Sequence, residues 1–200
     1  MGVLVAHGVY DYHGNAGFIT LGTSRETSAC VCDAIALAWQ EDRAEHYPHA
    51  QQILLTFDAG AANAARSLRF KEDLVALSRR FGRRLRVALY PPYTSKRHPI
   101  EHRLFCHVAR RLSGVILDSH QTALEAVQRT HTQTDLTVTP CLLDTLYELG
   151  RNVREIPQIS TTNSFATTLF SGNETTSFFG FGMQFLSFGV DFGMFSLRYV

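Results

Sequence analysis

An α/β fold, with a mixed sheet and helices on its faces, is predicted for this 200-residue chain by three observations. Short apolar runs alternate with longer stretches whose apolar residues recur at helical spacing. The first two runs are joined directly by turn residues, as in a hairpin. From there the order is helix, strand, helix, strand, helix, which places helices between the later strands of one sheet.

The first strand is Val3 to Tyr10 and the second is Gly17 to Gly22, with His13, Gly14, Asn15 and Ala16 supplying the turn. Thr23 or Ser24 stands where a helix cap belongs, and Ala29, Cys32, Ala36 and Trp39 recur at helical spacing until Tyr47 and Pro48 end the pattern. Gln52 to Phe57 is too short for a helix and reads as a strand buried on both faces, ending at Asp58. A small-residue loop follows. From about Asn63 the positions Leu68, Leu74, Val75, Leu77 and Phe81 mark a second helix, closed by Gly82. Leu85 to Tyr90 is a strand stopped by Pro91 and Pro92, and a third helix opens near Pro99 and runs through Leu104, Phe105, Val108 and Leu112. Ser119 caps a fourth helical stretch reaching Arg129. With one more strand in front, this order is the ribonuclease H-like arrangement.

A hydrophobic content of 45% supports one sizeable core. The net charge of +1 conceals a local bias: Arg79, Arg80, Arg83, Arg84 and Arg86 lie close together, followed by Lys96, Arg97, Arg103, Arg110 and Arg111. Both a solvated helix surface and a face toward a polyanion fit that bias. Cys30, Cys32, Cys106 and Cys141 lack paired metal-ligand spacing and read as reduced thiols of a cytoplasmic protein. The start lacks the basic residues and long apolar run of a secretory signal, so no export is expected.

Two units are expected, a folded domain over 1–150 and a Phe/Gly-rich, irregular and poorly ordered tail over 151–200. The last fifty residues hold nine of the fourteen phenylalanines, without a clean helical period or a cap. Their glycines, Gln184 and Asp191 argue against a membrane span. A non-native or frame-shifted tail is the expectation, with the aggregation hazard of exposed aromatic sequence.

Asp58 at a strand end and Glu101 in a first helical turn are the acidic residues that draw attention. Carboxylates converging from separate elements of a rigid scaffold are what a pair of Mg²⁺ ions, about 4 Å apart, requires. Asp58 also suits a turn-capping aspartate, and Glu101 a glutamate favoured by the helix dipole. His98, His102 and His107 surround Glu101, but their spacing is not that of a zinc hydrolase.

Several segments share order and spacing with one family. They are Gly8-Val9-Tyr10-Asp11, Asn15-Ala16-Gly17, Gly22-Thr23, Asp58-Ala59-Gly60 with Asn63, Pro91 to Lys96, Ile100 to Phe105, Ser119-His120 and Thr134-Asp135-Leu136. In these the chain, over roughly 1–150, resembles the Rhodopirellula-type DDE transposases of bacterial insertion sequences. The resemblance implies a ribonuclease H-like domain that cuts and joins DNA with Mg²⁺ or Mn²⁺ held by two aspartates and a glutamate. Asp58 matches the second aspartate and Glu101 the glutamate; Lys96, Arg97 and Arg103 are candidate phosphate contacts. The family's first aspartate lies on a central strand upstream of the hairpin, so a truncated, catalytically incomplete transposase with that strand missing is expected. Its partners would be DNA (transposon ends) and a second or full-length copy, with no membrane, in a nucleoid-associated bacterial setting. A non-catalytic nucleic-acid-binding remnant is the alternative. A small nuclease recruiting Asp11 as third ligand is disfavoured, because the family counterpart of Asp11 is not catalytic.

Overall fold

The computed structural model of the chain describes residues 2–24, 26–57, 68–89, 98–150 and 189–199. Six strands, β1 (Gly2–Asp11), β2 (Ala16–Gly22), β3 (Gln52–Phe57), β4 (Arg84–Leu89), β5 (Thr137–Leu143) and β6 (Gly189–Tyr199), form one sheet in the order β4-β3-β6-β1-β2-β5. β1 is antiparallel to β2 and β6, whereas β3 runs parallel to β4 and β6, and β2 parallel to β5. The mixed α/β class is as the sequence predicts.

The hairpin forms where its turn chemistry lies. Asn15 adopts φ 46°, a left-handed conformation that asparagine tolerates. Its side chain accepts from the Tyr10 hydroxyl at 2.8 Å and donates to the Thr134 carbonyl at 2.6 Å, tying the hairpin to the segment before β5.

Helix α1 (Ser28–Ala38) is capped by Thr27, whose hydroxyl accepts from the Cys30 amide at 3.2 Å. This corrects the expected cap at Thr23 or Ser24. Those two hydroxyls are used elsewhere: Thr23 donates to Asp144, and Ser24 accepts from the Tyr147 amide. The helix continues through a π-helical stretch, Trp39–Arg43, into the short α2 (Ala44–His46). Helix α3 (Leu68–Phe81) ends at Gly82, whose φ of 60° releases the chain toward β4. Pro99 and Ile100 lead into a second π-helical stretch, Glu101–Phe105, and then α4 (Cys106–Leu112). Ser119 caps α5 (His120–Gln128) as expected, accepting from the Thr122 amide at 3.1 Å.

Alternating strand residues build a core on each face of the sheet. Val9, Phe18, Ile53, Leu55 and Phe57 pack with Val31, Ile35 and Trp39 of the first helical segment and Phe70 and Leu77 of α3. Leu4, Ala6, Tyr10, Ile19 and Leu21 pack with Ile100, Leu104, Phe105, Val108, Ala123 and Val127 on the other face. In β3 burial alternates, with Leu54 and Thr56 only partly covered, which corrects the expectation of a strand buried on both faces.

Two strands lie outside the sequence reading. β5 forms an edge, where Pro140 is tolerated because one side needs no ladder donor. β6 fills the centre, paired with β1 from Gly2↔Tyr199 to Asp11↔Val190 and with β3 from Leu54↔Gly189 to Phe57↔Phe192. The expected open centre and wholly irregular tail are therefore corrected over Gly189–Tyr199. No strand pairing among the described residues joins β3 to β1 directly, so β6 alone links the two halves of the sheet.

Buried polar groups add a pH dependence. His7, fully buried on β1, lies 3.3 Å through Nε2 from the Cys30 sulfur, and burial lowers its pKa from 6.5 to about 4. The unfolded chain then takes up the proton first, so stability is lost as pH falls from 6.5 toward 4, on the order of 3 kcal/mol across that window. Urea denaturation at several pH values should show this slope, flattened in His7→Gln. Deleting residues 189–200 should abolish cooperative thermal unfolding, followed by circular dichroism; an unchanged transition would show that the sheet closes without β6.

Candidate functional site

The helical segment from Pro99 to Leu112 is held across one sheet face by glycines. A Cβ at Gly8 would run into the Phe105 ring and Ile100, and one at Gly17 into Leu104. This close approach fixes the start of the segment near the hairpin turn. Glu101 is its first π-helical residue and is exposed, while Ile100 and Leu104 beside it are fully buried. Its amide donates to the His98 carbonyl at 3.2 Å. π-Helical turns re-aim side chains by one extra residue and recur at functional sites.

Arg103, also exposed, is anchored. Its guanidinium carbon stands 4.7 Å from the centre of the Tyr12 ring, and a hydrogen bond with Tyr10, then the nearby tyrosines, hold its pKa further above the usual arginine value. A cation so fixed loses little freedom when it meets a phosphate. Asp58, Lys96 and Arg97 lie outside the described residues.

Asp11 occupies the other face. It is 0% exposed, and both its oxygens are engaged. Oδ1 accepts from the amides of His13 and Gly14 at 3.0 and 3.1 Å, and Oδ2 accepts from Arg43 Nη1 at 2.6 Å and from the Tyr47 hydroxyl at 2.9 Å. Burial, and then the bond to Asp11, push the Tyr47 phenol up to about 12. Arg43, itself buried, also pairs with Asp42 and lies over the Phe18 ring. These contacts make Asp11 a turn-closing and helix-docking group, with Glu101 on the opposite side of the sheet. Sequence reasoning missed this network, since Arg43 carries no local sign that it is buried.

Burial foremost raises the thiols of Cys30, to about 12, and of Cys141, away from the thiolate a nucleophile needs. None of the four cysteines, all among the described residues, forms a disulfide. Among the described residues, no group of three His, Cys, Asp or Glu side chains could hold a metal ion, and no helix is long and apolar enough to cross a membrane. The donor chemistry still suits Mg²⁺. Glu101 offers hard carboxylate oxygens at an exposed position, the ligand type that ion prefers.

The chain is thus an α/β protein whose exposed Glu101 and Arg103 lie in the first turn of a helical segment laid across a mixed sheet. A family model described as the Rhodopirellula transposase DDE domain matches residues 1–164, and the chain belongs to this transposase family. The match runs past the boundary expected at residue 150 and stops before β6. No curated protein and no solved structure matches the chain.

Replacing Asp11 with Asn should strand the buried Arg43 charge and cost about 3 kcal/mol in urea denaturation. The same variant should bind Mn²⁺ as the unaltered chain does in calorimetric titration; weakened Mn²⁺ binding in folded Asp11→Asn would return Asp11 to the site.

Proposed function

We propose that the chain acts on DNA as part of a DDE transposase, with Asp58 and Glu101 as carboxylate ligands for Mg²⁺ or Mn²⁺. The observation that carries this reading is the family match over 1–164, which contains both residues. The exposure of Glu101 and of Arg103, which lies over the Tyr12 ring, supports it. Divalent ions held there supply activation of water or a 3′-hydroxyl and stabilise the departing oxygen. The chain's own groups orient the DNA. Arg103, with Lys96 and Arg97, neutralises phosphates without reading sequence, and the like charge of Glu101 and a phosphate calls for a cation between them. Asp58 and Glu101 by themselves make an incomplete cage for a pair of ions, and on those two alone strand transfer is not sustained.

A second reading, a non-catalytic nucleic-acid-binding remnant, is favoured by the exposed Arg84 and Arg86 of edge strand β4, two positions apart and hence on one face. Titration of labelled duplex DNA over a salt series separates the two. Arg103→Ala should weaken binding and lower the salt slope by about one under either reading. Under the first, Mg²⁺ tightens DNA binding and Glu101→Gln removes that effect. Indifference to both Mg²⁺ and Glu101→Gln would leave the second reading standing.

A further inference from the structure

Arg103 has a counterpart at the other end of its helical segment. Arg111, exposed in the last turn of α4, stands about 10–12 Å further along at the ordinary helical rise. Its Nη2 lies 3.3 Å from Nε2 and 3.4 Å from Nδ1 of His131, so the guanidinium tip rests against the imidazole ring. That ring is itself oriented. Its Nδ1 lies 2.9 Å from the Arg129 carbonyl, which can only accept, so Nδ1 carries the proton and the neutral ring keeps its lone pair on Nε2, the nitrogen nearer Arg111. An imidazole supports a guanidinium without neutralising it. Among the described residues neither Arg103 nor Arg111 is ion-paired, and both are exposed. Arg110 stands exposed beside Arg111, and α5, packed against α4, delivers His131 from the turn after its end.

Two arginines held by rings, Tyr12 for one and His131 for the other, thus lie on one helical segment. A planar cation already held in place loses little freedom on meeting a phosphate. One DNA strand presents a charge about every 3.4 Å of axis, so the interval between the two arginines matches about three nucleotides. We propose that the exposed side of this segment, from Arg103 to Arg111, is a phosphate track for one DNA strand, with Arg111 as a second fixed phosphate contact and His131 as the residue that positions it. The inference rests on the reading of the chain as acting on DNA, and adds the surface along which the strand runs away from Glu101.

The test is titration of labelled duplex DNA with the full 200-residue chain over a salt series, with divalent ions chelated. Arg111→Ala should lower the salt slope by about one, and the double variant with Arg103→Ala by about two. Arg111→Lys, which keeps the charge but not the fork, should restore the slope without the whole affinity. His131→Ala should weaken binding by itself and change nothing further in Arg111→Ala, as befits a residue that acts through another. Arg69→Ala, exposed on α3 across the sheet, should bind as the unaltered chain does. All of these positions are exposed, so the melting temperatures should not move. If Arg103→Ala lowers the slope while Arg111→Ala leaves it unchanged, the track falls and the DNA reading stands. If the unaltered chain shows no salt-dependent DNA binding, both fall. If polyglutamate displaces the DNA equally well at equal charge, the surface belongs to an acidic protein partner and the assignment is overturned.

Discussion

The fold depends on the ladders that β6 makes with β1 on one side and β3 on the other. A strand in the centre of a sheet satisfies two rows of backbone donors and acceptors, and buried backbone groups left without partners are costly. Among the described residues, the hairpin with β5 and the β3–β4 pair have no direct strand contact, so the segment that joins them determines whether they act as one scaffold. That segment comes from the far end of the chain. Its closure of the sheet is therefore the longest-range ordering event in the molecule, with an entropic cost that grows only slowly with loop length.

Once the sheet is closed, its two faces take separate tasks. The face of α1 and α3 is a packing face, where Asp11, bonded to Arg43 and Tyr47, fixes how the helix docks on the hairpin. The opposite face carries the segment of Glu101 and Arg103. There Gly8 and Gly17 remove side-chain bulk so that Ile100, Leu104 and Phe105 seat deeply, and the same seating leaves Glu101 and Arg103 outward.

Much of this was legible in the residues. The hairpin turn, the Ser119 cap, the Gly82 stop and the helix opening at Pro99 are local signals, and the structure places each where the sequence does. β5 was hidden by Pro140, which reads as a strand breaker until its edge position is known. β6 was hidden because it follows a long Phe/Gly-rich stretch without a clean period, and its partner β1 lies at the other end of the sequence. Strand pairing of that span leaves no local trace. The site was legible in part. Glu101 and Arg103 stand exposed on one short segment, but the face on which Asp11 falls follows from register alone.

Amide hydrogen exchange along β6 tests the central strand most directly. The account predicts that amides from Val190 to Arg198 exchange as slowly as those of β1, opening only with global unfolding. Exchange at the rate of an unstructured segment would contradict it, and would leave the two halves of the sheet without the strand that joins them.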